Sequence, residues 1–275
     1  MIIDYVLFGA IAGDICGSSY EAKFGRTKLY EVVRLVRTGN GFTDDTVCTI
    51  GVANAILKYG NPTPEQFGEC IQEMCKKYPN RGYGGMFRKW IDNPVPYGSY
   101  GNGSAMRVSP CGYAAKSAEE CLELAKNSAL CSHNDPEGVK GAQAIALAIY
   151  VMKQKLRTKN SVRDILNKYY PEYASKTLDE IRPEYHFDST CQGSVPIALL
   201  AFLESKDYED CLKLAISMGG DSDTIAAMAG SIAYAYYEKM PQTIFDQVWD
   251  VLDNEMIDIV ENFDEVVNEH IRSSF

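Results

Sequence analysis

The sequence predicts an all-α protein, folded as a compact single-domain orthogonal helical bundle. Apolar residues recur at helical spacing in almost every segment, whereas the alternation typical of strands is scarce. The 275 residues, 46% of them hydrophobic, can form one large core. Because no repeat, low-complexity linker or break in composition divides the chain, we expect one domain over residues 1–275.

Local signals place the helices of the first half. The first is predicted over residues 2–17, and the second begins at Thr43 and stops at residues 60–62, Gly-Asn-Pro. Thr63 followed by Pro64 and Gln66 is typical of a capped start, and this third helix should end near Tyr78. Residues 81–103, rich in glycine, proline and tyrosine, predict a long ordered loop around a short helix over 86–91.

The second half is predicted to be helical as well. A helix begins at Ser117 and reaches residue 131, and a turn over residues 132–136 precedes a long apolar helix over 137–155. Residues 157–190 are more polar and should form short helices and loops. Helices then follow over residues 194–204, 208–217, 221–238, 242–252 and 255–271.

Charge and cysteine usage limit the classes of partner. The chain has 27 Lys and Arg residues and 37 Asp and Glu residues, so its net charge is −10, and it contains no basic block. This charge argues against nucleic acid as a partner, except as a modified end. The nine cysteines contain no CxxC pair, so we expect reduced, mostly buried thiols in a cytoplasmic protein without a secretion signal. The apolar run over residues 5–13 is too short to cross a membrane.

Two acidic clusters each precede an apolar helix. The first is Phe42-Thr43-Asp44-Asp45-Thr46, and the second is Gly219-Gly220-Asp221-Ser222-Asp223-Thr224. Aspartate and threonine oxygens suit hard cations such as Mg²⁺ or Mn²⁺, and these acids with Glu21 would suit a centre of two metal ions. The alternative is helix capping, which needs one side chain at each helix start and leaves the other acids unexplained.

A glycine-rich loop supplies a second candidate site. It contains Ser99, Tyr100, Gly101, Asn102 and Gly103, and it runs through Met106 into a segment predicted to be helical. Such a loop can hold an anion with backbone N–H groups, although an ordinary turn explains the same glycines. His133 could bind a phosphate or serve as a turn residue, and Glu21 could be a metal ligand, a proton shuttle or a surface acid.

Together these residues resemble the ADP-ribosylglycohydrolase family over nearly the whole chain. The resemblance rests on Gly13-Asp14 with Glu21, on the two acidic clusters, on the loop Gly101-Asn102-Gly103-Ser104-Ala105-Met106-Arg107, and on Ser132-His133. It implies an all-α fold with a binuclear Mg²⁺ or Mn²⁺ centre at the bottom of a central ADP-ribose cleft.

The resemblance also implies residue roles. The metal ligands would be Thr43, Asp44, Asp45, Asp221, Asp223 and Thr224. Catalytic acids would come from Glu21, Asp44, Asp45 and Asp221, and substrate would be bound by Glu21, Ser99, Tyr100, Gly101, Asn102, Gly103, Met106 and His133. The expected partner is ADP-ribose or an ADP-ribosylated acceptor, with no membrane partner and a monomeric chain.

The predicted reaction is hydrolysis of the N- or O-glycosidic bond between ADP-ribose and an acceptor by metal-activated water, through an oxocarbenium-like transition state. The acceptor stays open among arginine, serine, a nucleic-acid end, O-acetyl-ADP-ribose and others, as does the choice of general base. One alternative is a catalytically silent member, either an ADP-ribose-binding module or a crystallin-like structural protein. Another is a prenyl-diphosphate enzyme, which needs a DDxxD run that residues 44–48 lack.

Overall fold

The computed structural model describes the backbone of residues 5–21 and 26–273, with side chains as far as residue 269. Its described residues form helices, two short 3₁₀ turns and loops, with a single isolated bridge between Gly101 and Thr190 and no strand. The predicted all-α class is therefore confirmed. The helices are α1 (Phe8–Glu21), α2 (Asp44–Tyr59), α3 (Pro64–Lys77), α4 (Gly85–Asp92), α5 (Gly103–Met106), α6 (Ser109–Ala114), α7 (Ala118–Leu130), α8 (Pro136–Met152), α9 (Lys159–Tyr169), α10 (Leu178–Ile181), α11 (Cys191–Glu204), α12 (Tyr208–Ile216), α13 (Ser222–Tyr237), α14 (Gln242–Val251) and α15 (Asn254–Ser273).

Most helix boundaries agree with the sequence signals to within a few residues. Thr63 and Gln66 form the reciprocal capping box predicted at the start of α3. The first helix is the main difference, since α1 begins at Phe8 and continues to Glu21; residues 2–4 of the predicted helix lie outside the described part. Helix α6 was not predicted as a separate element.

Helices α1 and α13 pack antiparallel at very short range. Gly9, Gly13 and Gly17 lie four residues apart and form one stripe of α1 that faces α13. A Cβ atom at Gly13 would lie 2.1 Å from the carbonyl oxygen of Ala226, and one at Gly17 would lie 2.5 Å from the Cα atom of Asp223. This contact places the C-terminal end of α1 beside the acidic start of α13.

The core buries apolar side chains from nearly every helix, as the hydrophobic content predicts. All nine cysteines are buried and unpaired, which agrees with the expectation of free thiols. Within the described residues, every helix is too short or too polar to cross a lipid bilayer.

Candidate active site

Three helix ends meet at one cavity: the C-terminal end of α1 and the N-terminal ends of α2 and α13. The cavity holds about 670 Å³, a size typical of small-molecule sites. Its wall combines the two acidic clusters with the glycine-rich loop and with residues around the start of α4. The lining residues that bear on function are Glu21, Asp44, Asp45, Gly82, Met86, Ser99, Gly101, Asn102, Gly103, Met106, Arg107, His133, Phe187, Asp221, Asp223 and Thr224.

Asp14 connects α1 to the start of α2. Its carboxylate accepts hydrogen bonds from the backbone N–H groups of Thr43 and Thr46, at 2.9 and 3.1 Å, and from both threonine hydroxyls. Asp14 therefore satisfies donors of the first turn of α2 from across the helix interface. Asp14 is not among the site residues predicted from the sequence; an ionisable side chain within the apolar sequence of α1 is the signal that identifies it.

The first acidic group at the bottom of the cavity contains Asp14, Asp45 and Asp223, all buried, with carboxylate oxygens within 4.8 Å of one another. Asp45 Oδ2 accepts a hydrogen bond from the Thr224 hydroxyl at 3.2 Å. Asp45 Oδ1 is buried and has no hydrogen-bond partner. A buried carboxylate oxygen without a donor is costly unless a cation completes its surroundings.

The second acidic group contains Glu21, Asp221 and Asp223, again with oxygens within 4.8 Å, so Asp223 belongs to both groups. Asp221 occupies the N-cap position of α13, yet its side chain caps nothing. Its Oδ2 atom instead accepts a hydrogen bond of 2.7 Å from the Asn102 side chain. The capping alternative is therefore wrong for Asp221, whereas Thr43 does cap α2 by accepting from the N–H of Asp45.

The other predicted ligands lie close by. Thr43 donates to Asp14 at 2.8 Å, and Thr224 donates to Asp45. Asp44 lines the same cavity but belongs to neither acidic group; its Oδ1 atom lies beside Gly82. The structure thus brings five of the six predicted ligands to the wall of one cavity, whereas the sixth, Thr43, is not part of that wall and donates to Asp14.

Burial and mutual repulsion make these carboxylates difficult to ionise. Burial, with Asp14 as the second cause, raises the pKa of Asp44 to about 7. Burial also raises the pKa of Asp45 and of Asp223 well above the usual range, and neighbouring acids add to both shifts. The pKa of Glu21 is raised by burial and by Asp221, while Arg26 opposes this shift.

The donor set fits divalent cations. It consists of carboxylate and hydroxyl oxygens, which hard cations prefer, and it includes the unpartnered Oδ1 atom of Asp45. The two acidic groups, each of which could hold a metal ion, share Asp223. Positive charge at this position would offset the repulsion among the buried acids.

The glycine-rich loop is fixed by contacts at both sides. The backbone N–H of Asn102 donates to Ser189 O at 2.8 Å, and that of Gly98 donates to the Asn134 side chain at 2.7 Å. The N–H of Gly101 donates to the Ser99 hydroxyl at 3.1 Å. Three N–H groups of the loop are therefore occupied within the protein, which leaves fewer for an anion than its glycines suggested.

All of the predicted substrate-binding residues except Tyr100 line the cavity. Ser99, Gly101, Gly103, Met106 and His133 line the cavity, with the His133 ring beside Gly103. Asn102 also lines it, but its side-chain N–H groups donate to Asp221 and to Ser194, so it supports an acid directly.

Tyr100 is half-exposed and is not part of the cavity wall. The aromatic residues at the wall are instead Phe87, Tyr97 and Phe187. Among them, Phe187 is partly exposed and carries the guanidinium of Arg26 over its ring, 4.3 Å from the centroid.

Comparison with known proteins agrees with this geometry. The family model for ADP-ribosylglycohydrolase matches residues 5–271. Human ADP-ribosylhydrolase ARH3 is 28% identical, over 86% of this chain and 86% of that protein. ADP-ribosylarginine hydrolase Tri1 of Serratia proteamaculans is 25% identical, over 84% of this chain and 70% of that protein. A solved structure described as an ADP-ribosylglycohydrolase-related protein complex shares the fold, with a TM-score of 0.74, 21% identity and coverage of 95% of this chain and 96% of that one.

A helical fold with an acid-lined, oxygen-rich cavity is compatible with a hydrolase of sugar conjugates. The family match over almost the whole chain is more specific: the chain belongs to the ADP-ribosylglycohydrolase family. The predicted enzyme class, a hydrolase of ADP-ribose glycosidic bonds, is confirmed by this membership.

Proposed function

We propose that the protein is a metal-dependent ADP-ribosyl hydrolase that uses two divalent cations, Mg²⁺ or Mn²⁺, to cleave the glycosidic bond between ADP-ribose and an acceptor. The observation that carries the proposal is the pair of buried acidic groups that share Asp223. A binding or structural protein of this fold has no need for such a cluster, because several buried carboxylates without a cation reduce stability.

Thr43, Asp44, Asp45, Asp221, Asp223 and Thr224 are the proposed ligands, and Asp14 holds the start of α2, where Asp44 and Asp45 face the cavity. When bound, the cations supply Lewis acidity and a water of lowered pKa near the substrate ribose. All of the acids and the glycine-rich loop come from one chain, so the proposed acting unit is the monomer.

The chain itself supplies orientation and proton transfer. Glu21 lies at the end of α1 and is less buried than Asp221 and Asp223, so its carboxylate is the acid of the second group best placed to exchange protons with solvent. Asp221 is fixed by Asn102 and can orient the attacking water. Ser99, Gly101, Gly103 and His133 line the cavity beside these acids and form the proposed diphosphate and ribose contacts.

The test is Asp221→Asn, which keeps the size of the side chain and removes its charge. We expect release of ADP-ribose from an ADP-ribosylated peptide to fall by at least about a hundredfold, because removal of a ligand or of the oriented base removes transition-state stabilisation. The matched control is Asp250→Asn on the exposed face of α14, which should retain wild-type turnover.

Two results would contradict the proposal: full turnover by Asp221→Asn, or turnover by the wild type that is unaffected by EDTA. A protein that binds ADP-ribose but cleaves no conjugate would instead be the catalytically silent member. A panel of arginine-, serine- and nucleic-acid-linked conjugates, with O-acetyl-ADP-ribose, assayed with Mg²⁺ and with Mn²⁺, would identify the acceptor and the metal.

A further inference from the structure

Arg107 is an unusual residue behind the glycine-rich loop. Its side chain is completely buried, it lines the cavity, and no ion pair found in the described residues involves it. Its Nε and Nη1 atoms have no hydrogen-bond partner. A buried guanidinium without a carboxylate is costly, so its position requires an explanation other than stability.

The Nη2 atom of Arg107 begins a short chain of hydrogen bonds. It donates to Ser128 O at 2.8 Å and to the Ser132 hydroxyl oxygen at 2.9 Å. Ser132 Oγ lies 2.8 Å from Nδ1 of His133. Ser132 is itself completely buried, and the other side chain near its hydroxyl is the Cys131 sulfur at 3.8 Å, a much weaker acceptor.

These contacts favour one direction for each bond. Arg107 can only donate, so the Ser132 oxygen accepts from it and the single Ser132 proton is available to another acceptor. Nδ1 of His133, at 2.8 Å, is a nearer and stronger acceptor than the Cys131 sulfur at 3.8 Å, which favours an unprotonated Nδ1. The proton of the neutral ring then lies on Nε2, the atom closest to the loop: a Cβ at Gly103 would lie 2.8 Å from it, and one at Gly101 would lie 3.6 Å from it.

We propose that Arg107 and Ser132 are positioning residues that hold His133 in the Nε2–H tautomer, so that the ring donates a hydrogen bond into the cavity at Gly101–Gly103. Arg107 adds positive charge behind the ring, and the anionic part of the ligand provides the negative charge that the protein does not. The consequence for binding rests on the proposed function, in which this anion is the diphosphate of ADP-ribose.

Burial and the nearby Arg107 both lower the pKa of His133 well below its usual value, so the ring is neutral at physiological pH. A neutral imidazole presents one donor and one acceptor, and which nitrogen faces the ligand decides whether an anion is attracted or repelled. An Nδ1–H tautomer would turn a lone pair towards the phosphate oxygens.

The direct test is the tautomer itself. The chain contains three histidines, so the ring nitrogens of ¹⁵N-histidine-labelled protein can be assigned by NMR with a His133→Gln variant. In the wild type we expect Nδ1 to show the shift of an unprotonated nitrogen and Nε2 that of a protonated one. In Ser132→Ala we expect both shifts to move towards a tautomer mixture. The matched control is Ser128→Ala, another completely buried serine, whose hydroxyl donates to Ala125 O within its own helix.

A wild-type protein with the proton on Nδ1 would overturn the inference, as would unchanged His133 shifts in Ser132→Ala. The Arg107→Lys variant keeps a cation but loses the planar guanidinium, whose Nη2 atom reaches both Ser128 O and Ser132 Oγ. If it folds, it should shift the tautomer in the same direction as Ser132→Ala. The Ser132 variant tests the proposed positioning of His133 without any change to Arg107. The proposal can therefore still be accepted or rejected if the Arg107 variant misfolds.

Binding provides the second readout. We expect Ser132→Ala to weaken ADP-ribose binding about tenfold, the effect of one charge-assisted hydrogen bond, and Ser128→Ala to change it less than about twofold. In a His133→Gln background, where the amide N–H donates without a tautomer, Ser132→Ala should cause no further loss. An equal loss in both backgrounds would mean that Ser132 acts through packing, which would contradict the proposal.

The two hypotheses can fail separately. If the tautomer is as expected but no conjugate is hydrolysed, the positioning of His133 by Arg107 and Ser132 stands and the proposed function is wrong. If conjugates are hydrolysed but the tautomer does not depend on Ser132, the proposed function stands and the positioning proposal is wrong.

Discussion

At the scale of single residues, the site depends on hydrogen bonds between positions that are distant in the sequence. Asn102 donates one bond to Asp221 and another to Ser194, and all three side chains are buried. The glycine-rich loop is therefore coupled to the acidic cluster as well as to the expected ligand. A substitution in this loop should alter metal binding even though the residue is not itself a proposed ligand.

We predict that Asn102→Ala weakens Mn²⁺ binding by about ten- to a hundredfold, the usual cost of losing a partner that orients a metal ligand. Isothermal titration calorimetry with Mn²⁺ measures this without reference to catalysis. Asn127→Ala is the control, because its side chain also donates a hydrogen bond, to the backbone carbonyl of Pro62, but lies outside the cavity wall. Equal affinity of Asn102→Ala and wild type would show that Asp221 needs no support.

At the scale of helices, the acidic site depends on how closely α1 and α13 approach. The stripe of Gly9, Gly13 and Gly17 lets the two backbones touch, and the end of this contact lies beside Asp223. The geometry of the acidic cluster therefore depends in part on residues without side chains. Such residues carry no functional signal of their own.

We predict that Gly17→Ala lowers the free energy of unfolding by about 1–3 kcal/mol, since its Cβ would lie 2.5 Å from the Cα of Asp223 and 2.6 Å from the carbonyl oxygen of Ser222. The displaced start of α13 should also weaken Mn²⁺ binding. Thermal unfolding and metal titration measure the two effects. The control is Gly41→Ala, because a Cβ at Gly41 meets no atom within 4 Å and the φ angle of Gly41 is not positive. If Gly17→Ala changed neither the free energy of unfolding nor Mn²⁺ binding, this account would be contradicted.

The sequence could predict those helices whose start and end signals are local. Thr63 with Gln66 is one such signal, and α3 begins where expected. Helix α6 has Pro110 and Gly112 within six residues, so its local preference is weak and only packing makes it helical. The same distinction applies to the site: the two acidic clusters are visible in the sequence because each is contiguous.

Interactions between distant segments could not be predicted in this way. Asp14 binds the start of α2, 29 residues away from Thr43, and Asn102 binds Asp221 across 119 residues. Neither pairing leaves a pattern in sequence spacing. The resemblance to the family placed the acids in one site, but the role of Asn102 as a support of Asp221 became visible only in the structure.

At the scale of the whole molecule, the site lowers the stability of the fold. Four buried aspartates converge near the ends of three helices together with Asp44 and Glu21, which are partly buried, and the pKa of each is raised chiefly by burial. Each group costs free energy in the metal-free protein that a cation would recover. Stability and function therefore oppose each other here, as is common at active sites.

The last prediction follows from this opposition. In EDTA, Asp45→Asn should unfold at a higher temperature than the wild type, because the substitution removes a buried negative charge that faces Asp14, Asp44 and Asp223. In saturating Mn²⁺ the order should reverse. At a hundred times the dissociation constant, the cation adds about 2.7 kcal/mol to the wild type, which corresponds to several degrees in Tm, and adds little to the variant. Differential scanning calorimetry of both proteins in both conditions measures the four values of Tm.

Asp250→Asn is the control and should follow the wild type throughout, because Asp250 is exposed on α14. If the wild type were the more stable protein in EDTA, the acidic cluster would be a stabilising hydrogen-bonded network, and the metal site would lose its main physical support.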